Sequence, residues 1–289
     1  MQSHGVARRP WAALRQLGPA TGFYAVFFVV PLLFLFVLSF WRVEGFERIP
    51  DITFTNYTES VTSKLYLSVF VRTILVGLVT AGIVVPIAYV LAYLMRFVFP
   101  TKGQFLLDLV LISLFSGYLV RIYAWRTILG REGLLNTALL QLGLIQEPLT
   151  FLIFSTWAVI ITLVGLLIPL ALLPIYSSRS NVSREHLEVA RDLGAKGFRL
   201  HRTILVPMVL PGVSTAFAIA FILAAGDFVV PAMVGGTQGG VMVGNLIADQ
   251  FKGSGSNWPL GAALAFLIMA LVVAVYLVTT RVIRMVTRW

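Results

Sequence analysis

Six stretches of this chain are each apolar for twenty residues or more: Gly22–Trp41, Ser68–Met95, Gln104–Trp125, Phe151–Tyr176, Val206–Pro231 and Trp258–Thr280. A helix of about 20 residues crosses a hydrocarbon core about 30 Å thick. In that medium a lone segment satisfies its backbone N–H and C=O groups only as a helix. The runs therefore predict an all-α integral membrane protein with six transmembrane helices. Composition removes the competing reading of a large soluble core. Hydrophobic residues are 58% of the 289 and charged residues only 12%, against about 25% charged in a soluble domain.

The basic residues set an orientation. Arg8, Arg9, Arg15, Arg96, Lys102, Arg179, Arg184, Arg191, Lys196, Arg199, Arg202, Arg281, Arg284 and Arg288 all fall on one side of the six spans. Arg42, Arg48, Lys64, Arg126, Arg131 and Lys252 fall on the other, diluted by Glu44, Glu47, Asp51 and Glu59. The positive-inside rule then makes both termini cytoplasmic. The layout is a cytoplasmic tail over 1–21, a membrane domain over 22–280 with a charged cytoplasmic loop at 177–205, and a second tail over 281–289. The first run is too long, and lacks the small-residue site, for a cleaved signal peptide.

Several functions are excluded or disfavoured by what is missing. The net charge of +10 does not form one basic stripe with interleaved aromatics, so nucleic acid is not a partner. There is no cysteine, and His4, His186 and His201 form no His-Glu-x-x-His pair, so no metal site is expected. No cofactor is implied. A phosphate-binding Gly-x-x-x-x-Gly-Lys loop is absent; the Gly235–Gly240 cluster, GGTQGG, lacks the lysine and reads as a flexible outer loop.

The densest charge lies in HLEVARDLGAKGFRLHRTILVPMVLPG, His186–Gly212. Ser183 caps a short helix with Glu185 in its first turn. Leu187, Ala190 and Leu193 share one face. Gly194 stops the helix with a left-handed residue. A second amphipathic piece follows from Phe198 to about Ile204, and Pro207 and Pro211 fix the return into the membrane. A topogenic loop explains the arginines, but not the glycine, the acids Glu188 and Asp192, or the apolar face. A small docking surface for another protein explains all of them.

Glu188-Val189-Ala190, three residues, Gly194, nine residues, Ile204, two residues and Pro207 resemble the EAA signature of ABC-importer permeases. Val189 stands where the middle alanine is usual. Four further stretches, SGYLVRIYAWRTILGREGLLN (Ser116–Asn136), GDFVVPAMVGG (Gly226–Gly236), GNLIADQF (Gly244–Phe251) and NWPLGAA (Asn257–Ala263), look like the spermidine and putrescine permeases of that superfamily. The resemblance implies a type I importer permease with the MetI-like fold, in the bacterial inner membrane. It implies Glu188, Ala190, Asp192, Gly194, Ile204 and Pro207 as the ATPase-coupling residues. It also implies the partners: a sister permease subunit, usually making a heterodimer, two cytoplasmic ATP-binding subunits and a periplasmic solute-binding protein. ATP would be hydrolysed on the separate subunit, so this chain is expected to be no enzyme. The alternative is a secondary transporter without an ATPase, but the two halves show no convincing repeat.

Charge inside a bilayer is expensive and is usually paired or functional. Asp227 lies near the outer end of the fifth run, after Gly226 and before Pro231. Two readings stand for it: a structural ion pair, with Arg121 or an arginine of the sister subunit, or contact with a cationic solute. Arg121 ends the third run among Tyr118, Tyr123 and Trp125. It reads either as a snorkelling arginine in an aromatic belt or as part of a gate.

Overall fold

The computed structural model describes residues 18–19, 21–45, 47–178, 188–190, 192, 195, 197–200, 204–237, 239–253 and 255–286. Ser183, Glu185, Leu187, Leu193 and Gly194, with both predicted tails except their innermost residues, lie outside them.

Among the described residues five helices are long and apolar enough to cross a membrane, six if a bent pair is counted as one span: α1 (Thr21–Leu38), α3 (Lys64–Val98), α7 (Thr156–Ser178), α8 (Val206–Gly226) and α10, which spans with Trp258–Val282 and runs on to Val286. Between α1 and α3 come a two-stranded hairpin, β1 (Arg42–Glu44) with β2 (Glu47–Ile49), and the short helix α2 (Thr55–Thr62). The strands pair antiparallel, Arg42 opposite Ile49. Asn56 ties this cap to α1, donating to the carbonyls of Ser39 at 2.9 Å and Trp41 at 2.8 Å. In α1 a wide π turn over Ala25–Val29 precedes Pro31. It gives room where the proline ring would meet the preceding turn.

The third apolar run is not one straight helix. α4 (Pro100–Phe115) stops, Ser116 and Gly117 are extended, and the chain turns by 99° into α5 (Tyr118–Leu129) and α6 (Leu134–Gln141). A serine and a glycine interrupt the helix between equally apolar flanks, so hydropathy alone ran through the break. The other spans differ in their ends. α3 starts at Lys64 and continues to Val98, where Phe99 leaves helical geometry and Pro100 opens α4. Pro100 has no N–H to offer a continuing helix but suits a first turn. α8 ends at Gly226, short of Pro231.

The core is the trio α3, α7 and α8, which pack more closely with one another than any other elements do. Their contact faces are small. α3 buries Ala81, Val84, Ala88 and Ala92, and α8 buries Gly212, Ala216, Ala220 and Ala224, each at helical spacing. Gly77 of α3 lies under Phe221 and Ala225 of α8, and Gly212 of α8 lies against Ser178 and the Pro174 carbonyl of α7. α5 is attached through Trp125, whose indole fills the notch at Gly165 of α7. Asn136 of α6, fully buried, closes the loop after it: it donates to Gly130 O (3.1 Å) and accepts from Leu149 N (2.8 Å).

A Cβ at Gly165 would overlap the Trp125 ring. Gly165→Ala is therefore expected to destabilise the detergent-solubilised protein by about 1–3 kcal/mol, despite alanine's higher helix propensity. Adding Trp125→Ala is expected to cost less in the Gly165→Ala background than alone. Thermal-unfolding midpoints of the two single variants and the double variant check both.

Candidate functional site

The residues singled out in the sequence collect at the two ends of α8. At one end, Ala190 is buried with Leu200, Leu205 and Val209 in a cluster separate from the main core. Tyr89, Tyr93 and Phe97 of α3 pack on it, and half-buried Ile204 joins them. Glu188, Val189 and Asp192 are exposed on the opposite side. The segment thus has one apolar residue locked down and two acids outward. Ala195 N donates to Ala190 O at 2.9 Å. This is the six-to-one bond that closes a helix C-terminus. The left-handed residue expected at Gly194 falls outside the described residues. Gly197 does have a positive φ of 53°, and it opens the helical residues Gly197–Leu200; how the expected piece continues toward Ile204 lies outside the described residues. Pro207, half-buried, sits in the first turn of α8, where its missing N–H costs nothing.

About 30 Å away along α8, at 1.5 Å per residue, the helix ends at Gly226 and Asp227 is extended. The Asp227 carboxylate is fully engaged. Oδ1 accepts Val229 N at 2.8 Å and Val230 N at 3.0 Å, capping the helical turn that runs into Pro231–Gly235. Oδ2 accepts a short hydrogen bond from the Tyr118 hydroxyl. Tyr118 is the first residue of α5, directly after the break. Among the described residues, Asp227 makes no ion pair with Arg121. The backbone donors and the phenol already satisfy the carboxylate, so the expected pair does not form within this chain. Arg121 lies one turn further along α5, and its Nε is buried with no hydrogen-bond partner. Tyr123 is exposed and takes no part in the cluster.

The glycine cluster that follows is not the loose loop its composition suggests. Gly240 packs backbone to backbone on Gly235, and Gly236, at φ 71°, lies against Phe154. Thr156 donates a short hydrogen bond to Gly239 O, and Val243 N donates to the buried Thr73 hydroxyl at 3.0 Å. At Gly235, Gly236 and Gly240 a Cβ would collide with backbone or with Phe154. Asn245 of α9 (Val243–Gln250) joins this layer to the Asp227 turn, donating to Phe228 O at 2.8 Å and accepting Met242 N at 3.1 Å. A cavity of about 750 Å³ opens beside it, lined by Phe154, Phe228, Pro231, Asn245, Asp249 and Lys252 among others. Phe154 holds a left-handed φ of 56°, a backbone state that costs a non-glycine residue about 1–2 kcal/mol. Sequence reasoning found neither this cavity nor the Tyr118 contact.

Residues 57–288 match the model of the binding-protein-dependent transport system inner membrane component. The chain belongs to this family. It is 34% identical over 259 residues to the spermidine/putrescine transport system permease protein PotB of Haemophilus influenzae, covering 88% of this chain and 89% of that one. The corresponding protein of Escherichia coli is 30% identical, covering 88% and 93%. Among solved structures, a bacterial ABC transporter that imports the acidic polysaccharide alginate superposes with a TM-score of 0.73 over 96% of each chain, at 16% identity. That likeness shows the shared ABC-importer permease fold. Family membership makes the chain an inner-membrane transport subunit, as the EAA-like residues implied.

Ala190 fits its seat only as a small apolar residue. Ala190→Gln is expected to unseat the 188–205 segment and speed tryptic cleavage at its native lysine and arginines roughly tenfold, for about 1.4 kcal/mol of lost packing. Time-course mass spectrometry of the digested membrane protein measures it.

Proposed function

We propose that this chain is the permease subunit of an ATP-driven importer for polyamines, or for a related small organic solute. Both termini face the cytoplasm. It pairs with a sister permease subunit and docks two ATP-binding subunits that carry all the hydrolysis. A periplasmic binding protein delivers the solute. The carrying observation is the 188–205 segment. Its acids Glu188 and Asp192 are exposed while Ala190 is locked onto the ends of α3 and α8, so a push on the acidic side reaches the membrane helices without slack. ATP binding would draw the ATPase subunits, and with them this segment, toward its counterpart, biasing a two-state equilibrium of the bundle. The solute class is supported by the printed function of the Haemophilus influenzae and Escherichia coli relatives. It is also supported by an acid, Asp227, at the end of α8 away from the docking segment.

The complex purified from cells co-expressing the neighbouring transport genes is expected to retain an ATP-binding subunit. In proteoliposomes it should take up labelled spermidine only with ATP and binding protein. Uptake driven by an ion gradient with no ATPase subunit present would instead favour a secondary transporter. Glu188→Ala is expected to insert normally while losing a charge-assisted contact of about 1.5–3 kcal/mol. Solute-stimulated ATPase activity and uptake should then fall together, roughly tenfold or more. Wild-type uptake in that variant would remove Glu188 from the coupling surface.

A further inference from the structure

The two oxygens of Asp227 are held differently. Oδ1 is fixed by two backbone N–H groups two and three residues away, both within the same local turn. Oδ2 is held by a neutral phenol from another helix, 109 residues earlier in the chain. The carboxylate is thereby satisfied but not neutralised. An alkylammonium at Oδ2 would make a charge-assisted hydrogen bond, roughly twice as strong as one from a neutral donor. The position is reachable: Tyr118, Gly226 and Phe228 are exposed around it, and nothing packs against the Gly226 α-carbon on its side-chain side.

We infer that the Tyr118 hydroxyl occupies the place of a solute ammonium group, and that a polyamine entering the permease displaces it from Asp227. The inference rests on the polyamine reading above. Displacement has a mechanical result. Tyr118 begins α5 directly after the extended Ser116–Gly117 break, so its bond to Asp227 ties the bent part of the third span to the end of α8. Ammonium binding unties them. A second observation bears on the same element: the Arg121 Nε, one turn along α5, is buried without a partner. A shift of α5 is one way for this donor to gain a partner. The other end of α8 carries Leu205 and Val209, the seat of Ala190. Solute arrival and the docking segment therefore act on opposite ends of one helix.

The test uses the assembled complex in nanodiscs and proteoliposomes, with spermidine as the probe. Tyr118→Phe removes the tie and keeps the acid. It is expected to raise ATPase activity in the absence of solute roughly threefold or more, because the tied state loses its bond. Asp227→Asn removes the charge the ammonium needs and is expected to raise the half-saturating spermidine concentration about tenfold or more. A structural role alone would lower ATPase activity in both variants and leave the half-saturating concentration unchanged. A 3-fluorotyrosine at position 118 reads the exchange without depending on either variant. Its 19F resonance should move when spermidine-loaded binding protein, ATP and vanadate are added, and should not move with empty binding protein. Unchanged solute-free ATPase activity in Tyr118→Phe, an unchanged half-saturating concentration in Asp227→Asn, or an unmoved resonance overturns the exchange while leaving the polyamine reading standing. A wild-type complex that takes up no spermidine overturns the polyamine reading and the exchange with it.

Discussion

Everything in this protein hangs on close contact between α3, α7 and α8 through small side chains. Inside a bilayer, lipid tails are as apolar as leucine, so burying hydrocarbon gives helices little reason to associate. What remains is dispersion between surfaces that fit, and that requires near approach. The alanine rows of α3 and α8, Gly77 beneath Phe221, and Gly212 against Ser178 provide it. The same device recurs outside the trio, where Gly165 receives Trp125 and so fixes α5 on α7. Bulk at Gly165 or Gly212 would overlap the Trp125 ring or the Pro174 carbonyl and Ser178, whereas at Gly77 the contact is only tight.

α8 is the member of the trio with a role at both ends. Leu205 and Val209 seat the Ala190 turn, and Asp227 caps the following turn and meets Tyr118. The helix between is continuous over Val206–Gly226 despite Pro211. A rigid rod with contacts at its two tips transmits displacement by tilting. On the α5 side the helix is interrupted at Ser116–Gly117, where the chain turns by 99°.

The apolar spans were legible because hydropathy adds up over some twenty residues, and no local detail outweighs that sum. Ala190 as the inward residue of the charged segment was legible from three-residue spacing. Direction was not. A hydropathy window is the same whether the chain runs straight or turns by 99°, and only the Ser116–Gly117 pair marked the turn. The partner of Asp227 was also hidden. Charge logic selects Arg121, whereas the folded chain brings Tyr118, the first residue of α5 after the Ser116–Gly117 break. Glycines 235, 236 and 240 misled in another way: composition reads them as freedom, while the structure uses their missing side chains to bring two backbones together.

The isolation of α1 bears on how the molecule is built. Along nearly its whole length α1 is exposed, and within the chain it packs chiefly on α10, with Phe36 edge-on to Phe266 at 5.1 Å. Its other tether, Asn56, comes from the hairpin cap that follows directly. During synthesis at about 5–20 residues per second, the first span waits through the making of every intervening one before its long-range neighbour exists. Until then lipid must stand in for α10, and the aromatic face of α1, from Phe23 to Phe36, is suited to that wait. α1 thus gains its main neighbour within the chain only after α10 has been made.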